Sequence, residues 1–121
     1  MNNQDNQEFG VVKKIFHGKE IAEYNSNLKL ISELESLKGK VNSLKGSISE
    51  CSTNVKATYN QAKEAIVNAN ISLSLEKIND YAKELNSIEQ NLEQGISDIN
   101  SKISDLQSRN GYLLGIIYGQ V

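Results

Sequence analysis

Proline is absent from the 121 residues, so the commonest helix breaker is missing along the whole chain. Tryptophan is absent too, and the two Phe and five Tyr are spread out, which leaves no large aromatic core in view. A single cysteine, Cys51, excludes an intramolecular disulfide. No window approaches the roughly 20 apolar residues of a membrane span. The N-terminal MNNQDNQEF also lacks the basic-then-apolar layout of a cleaved signal peptide. A cytoplasmic chain, or one exported by a route that reads no such signal, is expected. Neither sign of charge dominates: 13 Lys and Arg against 15 Asp and Glu give a formal charge of -2. With a pI near 5.4 and both signs interspersed, no basic face exists to neutralise phosphates, which argues against nucleic-acid binding.

Side chains that carry chemistry are equally sparse. The one histidine, His17, sits beside Gly18 and reads as a helix-end residue, while Cys51 falls between Ile48 and Val55 as a small buried hydrophobe. Glu33, Glu35, Asp98 and Asp105 are spread over outward faces, as solvating charges are. There is no Gly-rich phosphate loop and no metal-ligand spacing. The sequence therefore names no catalytic residue, cofactor site or metal site, and a non-enzymatic protein is expected.

What the chain has is a heptad. Leu30, Leu34, Leu37, Val41, Leu44, Ile48, Cys51, Val55, Thr58, Ala62, Ala65 and Ala69 follow one another at alternating steps of four and three. A second array runs Ile78, Tyr81, Leu85, Ile88, Leu92, Ile96, Ile99, Ile103, Leu106, with a slip at Gly95. Such spacing makes the narrow seam of a coiled coil rather than the broad face of a globular helix. SLKG recurs at 36–39 and 43–46, and its Gly39 and Gly46, set among lysines, read as solvated.

Between the arrays, Asn70 to Ser74 is polar, and Ser74 followed by Glu76 makes a helix start, with Leu73 and Ile78 spaced as a hydrophobic staple. The predicted fold is all-α, a long antiparallel helical hairpin over 21–110 bent near 70–74, open to completion as a four-helix bundle. Centring the bend on Ser72 pairs Ala62 with Tyr81, Val55 with Ile88, Cys51 with Leu92, Ile48 with Ile96, Leu44 with Ile99, Val41 with Ile103 and Leu37 with Leu106. Residues 1–8 read as a disordered leader. Residues 9–20 form a short amphipathic segment, with Phe9, Val12, Ile15 and Phe16 opposite Lys13 and Lys14. Docking of that stripe on the protein's own arms is preferred over a membrane surface.

The tail 111–121 is apolar and Gly-rich. Gly111, Gly115 and Gly119 recur every fourth residue among Tyr112, Leu113, Ile116 and Ile117. On a helix this is a small-residue row suited to close approach of a partner helix. Alternatively Asn110-Gly111 stops the helix and the tail is frayed.

The Pro-free acidic chain, its two heptad arms, central turn and the ending ISDLQSRNGYLLGIIYGQV together resemble the small helical-hairpin proteins of the Gram-positive type VII (Esx) secretion system. They are most similar to the partners encoded beside LXG toxins, including the YwqH-like kind. Two marks of that group are not here: the turn carries no Trp-x-Gly, and no Tyr is followed four residues later by an acid. The resemblance implies a non-enzymatic, chaperone-like partner that binds the helical N-terminal domain of a toxin. A structural homo-oligomeric coiled coil and a peripheral membrane adaptor are the competing readings.

Overall fold

The computed structural model describes residues 9–119, and the expected leader at 1–8 lies outside them. Three helices follow in order: α1 (Val11–Phe16), α2 (Gly18–Ala69) and α3 (Glu76–Ile117). There is no strand among the described residues. The fold is an all-α hairpin in which α2 and α3 run antiparallel. It divides into two compact units. One joins residues up to Lys38 with those from Asp98 onward, and the other spans Gly39–Ser97.

The helix ends follow from local chemistry. Asn70 adopts a left-handed φ of 53°, which asparagine tolerates better than most residues. Its amide donates to the Val67 carbonyl at 3.3 Å and the Ile71 amide donates to Ile66 at 3.2 Å. This pair of bonds is the Schellman stop for α2. Ser74 Oγ accepts the Glu76 amide at 3.4 Å, so the expected cap is present, one position ahead of the Leu75 carbonyl that opens the α3 ladder to Asn79. Leu73 remains 61% exposed, and the expected staple to Ile78 therefore contributes little. The α3 helix does not stop at Asn110-Gly111. It runs two turns further and ends at Gly119, whose φ of 71° supplies the left-handed residue a C-terminus favours.

The register differs from the one centred on Ser72. Lys45 pairs with Glu93 at 3.0 Å where that register would set Lys45 opposite Ile99, a displacement of about one heptad. Val55 and Thr58 likewise share a groove with Ile78 and Tyr81, whereas Val55 was expected opposite Ile88. The connection is long enough to allow this register. Six residues separate α2 from α3. An extended chain advances roughly 3.3 Å per residue and a helix about 1.5 Å, so the link runs back beside the last turns of α2. Val67, on one of those turns, is 75% exposed.

In the unit of Gly39–Ser97 the contact between helices is thin, with Ser52, Ala82 and Leu85 buried. Ser52 Oγ has no hydrogen-bond partner. In the other unit Ile103 and Leu106 are buried, and a cluster of Phe9, Ile21, Tyr24, Leu113 and Ile117 forms the main core, with Leu28 and Leu114 packed against it. Each such aliphatic side chain contributes roughly 1.5–3 kcal/mol when fully buried. The dispersed aromatics thus do meet: the Phe9 ring stands edge-on to Tyr24 at 5.6 Å and lies 6.2 Å from Tyr118.

α1 packs against this unit by its polar side, which reverses the expectation. Lys13 Nζ donates to the Ile117 carbonyl at 2.9 Å, satisfying an open end of α3, and lies 4.8 Å from the centre of the Tyr118 ring. Lys13 and His17 are half-buried, while Val11, Val12, Ile15 and Phe16 face outward. Of the expected inward stripe, Phe9 alone is buried.

Candidate functional site

Pairing two helices leaves much of the predicted seam uncovered. Leu85, Ile103 and Leu106 are buried; Val41, Ile48, Cys51, Val55, Leu92, Ile96 and Ile99 are half-buried; Leu37, Leu44 and Ile88 are exposed. Leu44 at 51% and Ile88 at 43% are notable because a heptad residue earns its position by burial. A two-stranded hairpin shields only the side of each apolar residue that faces its partner helix, and the flanks stay wet.

Within the unit of Gly39–Ser97, part of this seam, Cys51 and Val55 with Ile78 and Tyr81, lines an open groove of about 720 Å³. Its floor is Cys51, Val55, Thr58, Ile78 and Tyr81, and Ser47, Glu50, Asn54 and Lys77 stand along it. Apolar floor and polar rim are the arrangement that accepts the hydrophobic stripe of another helix. Cys51 is half-buried in this groove, a correction to the expectation of a sealed thiol, because the one-heptad displacement removes Leu92 as its cover. Gly39 and Gly46 have open space around them, so they do not mark a close helix approach.

The tail residues are placed differently from the expected free docking row. Leu113 and Ile117 are fully buried against Phe9, Ile21 and Tyr24, and Gly115 is buried as well. Ile116 is half-buried, Tyr112 is 50% exposed, and Gly111 and Gly119 face open space. The tail's partner is thus the N-terminal part of this same chain. Its helix continues through Asn110 because that side chain is turned inward: Asn110 accepts from Asn27 at 2.9 Å and donates to the Tyr24 carbonyl at 3.3 Å.

Charge adds one fixed point. Arg109 grips Glu23 through two bonds, at 2.6 and 3.1 Å. The hydrogen bond from Arg109 holds the Glu23 carboxyl below its ordinary 4.5, and the guanidinium is raised in turn. The pair is exposed and fastens the two helices beside Asn110, and the Arg109 guanidinium also lies 5.4 Å from the centre of the Tyr112 ring. Among the described residues no group of three or more His, Cys, Asp or Glu is placed to hold a metal ion, and no helix is long and apolar enough to cross a membrane. No protein-family model, curated protein or solved structure matches the chain.

Proposed function

We propose that this protein is a non-enzymatic helical partner, which receives a helix of another protein along the open groove of its hairpin. The observation that carries this reading is the half-exposed heptad seam: Leu44, Tyr81 and Ile88 keep the spacing of core residues yet stand 43 to 51% exposed. A third or third and fourth helix laid on that face would complete a bundle and bury what two helices cannot. The resemblance to type VII hairpin proteins supports a finer version. There the incoming helices belong to the N-terminal domain of a secreted toxin, and this chain works chaperone-like in the cytoplasm or is exported with its cargo by the signal-independent route.

The one thiol provides the test. Cys51 lies on the groove floor and is the sole cysteine, so its modification rate reports occupancy of the groove directly. Co-expression with the helical domain of a toxin encoded beside it should give a stable complex in which Cys51 labels at least ten-fold more slowly than in the free protein. Tyr81→Asp, on the groove lining, and Leu44→Asp, on the exposed seam beyond it, should abolish the complex while circular dichroism stays unchanged. A complex that forms normally with both variants and leaves Cys51 labelling unaltered would overturn the groove reading. A concentration-dependent dimer or tetramer that protects Cys51 without a partner would favour the homo-oligomer instead.

A further inference from the structure

The face of α1 that points away from the protein is a second apolar surface, separate in sequence and in unit from the groove. Val11, Val12, Ile15 and Phe16 are 65 to 75% exposed. At about 100° per residue they occupy an arc of about 140° on one side of the helix. Lys13 and Lys14 border that arc, and Lys19 lies beyond the break at His17, in the first turn of α2. Between Phe9 and Lys19 there are three lysines and no acid, in a chain whose formal charge is -2.

We propose that α1 is a membrane-surface element whose outward face settles at the headgroup boundary of an anionic bilayer. The inside-out seating of α1 is the central observation. A soluble protein ordinarily turns four clustered apolar side chains inward, and here the tether of Lys13 to the Ile117 carbonyl and the Tyr118 ring holds them outward. Among the described residues nothing covers that face, which leaves all four side chains at least 65% exposed. Charge selects the occupant: Lys14 is exposed at the border of the apolar arc, where it can meet phosphate headgroups while Phe16 and Ile15 enter the acyl boundary, and Lys19 adds a second exposed positive charge at the start of α2. Asp5, Glu8 and Glu20 border the stretch, so the apolar contact carries most of the binding and the lysines choose the lipid. So short an element binds weakly and reversibly, as a single anchoring signal does. It would bring the groove and its cargo to a membrane without spanning it.

The full chain should co-sediment with vesicles of phosphatidylcholine and phosphatidylglycerol, and less with phosphatidylcholine alone. Ile15→Ser combined with Phe16→Ser should weaken the association with the anionic vesicles by more than about ten-fold, since two large exposed side chains lose their apolar contact. Lys14→Glu should weaken it about five-fold or more, and raised salt should act in the same direction. Both variants alter exposed positions, and circular dichroism should match the parent. If the double variant does not fold, Val12→Ser with Lys14→Glu serves as the second test. Equal sedimentation of parent and double variant, or equal binding to neutral and anionic vesicles, overturns the proposal. So does a dimer that depends on Ile15 and Phe16 and shows no vesicle binding, because a second copy would then be the cover. Leu44→Asp, which closes the groove reading, should leave vesicle binding intact.

Discussion

Leu113→Ala tests the packing of the tail. Leu113 is fully buried and meets Phe9, Ile21 and Tyr24 in the cluster that also holds Ile117. Leu-to-Ala changes at sealed core sites cost about 2–5 kcal/mol, the sum of lost transfer energy and the cavity left behind. The lower half of that range, about 2–3 kcal/mol, is expected here, because Leu28 and Leu114 at the cluster's edge can move in to fill part of the space. The effect should also be local. The cluster belongs to the unit containing residues up to Lys38 and from Asp98 onward, and loses one of its five buried members. Urea unfolding followed by circular dichroism gives the magnitude, and amide hydrogen exchange gives the place. Protection should fall in residues 11–28 and 106–117 and persist around Leu85. A loss under about 0.5 kcal/mol, with protection of residues 18–28 unchanged, would refute an intramolecular berth for the tail.

Gly115→Leu should destabilise the fold, because Gly115 is buried; a fall in the urea midpoint checks this. Ser52→Ala should stabilise by about 1 kcal/mol in the same assay, since it removes a buried hydroxyl without a partner and improves helix propensity. The Glu23–Arg109 pair predicts a pH dependence. The folded carboxyl titrates below its unfolded value, so its stabilisation is present above about pH 4.5 and lost as pH falls through the lowered folded value. Glu23→Gln should flatten the acid limb of a stability-pH curve there, and an unchanged limb would count against the pair. In the free protein, Cys51 should react with a small maleimide within a factor of about ten of the unfolded chain, against the near-silence of a sealed thiol.

The alternation of four and three through both arms, together with the missing prolines, was sufficient for the helices, and the break at Asn70 to Ser74 between the arms was sufficient for their antiparallel pairing. Those are properties of one period and one break along one chain. The positions of the α2 stop and the α3 start were also legible, because Asn70, Ser74 and Glu76 act on backbone groups within a few residues of themselves. Register was not legible. Two heptad arrays match at every offset of seven, so the period does not choose among offsets, and the observed one is fixed by contacts between the helices such as Lys45 with Glu93. Nor was the continuation through Asn110-Gly111, since a local stop signal was overruled by Asn27 and the Tyr24 carbonyl, 83 and 86 residues away along the chain. The same holds for α1. Its amphipathic pattern was visible, but which face met the protein went with contacts to distant residues, those of Lys13 with the Ile117 carbonyl and the Tyr118 ring and the burial of Phe9. Short-range periodicity sets what a helix is, and the competition among distant partners for the same surface decides which way it faces.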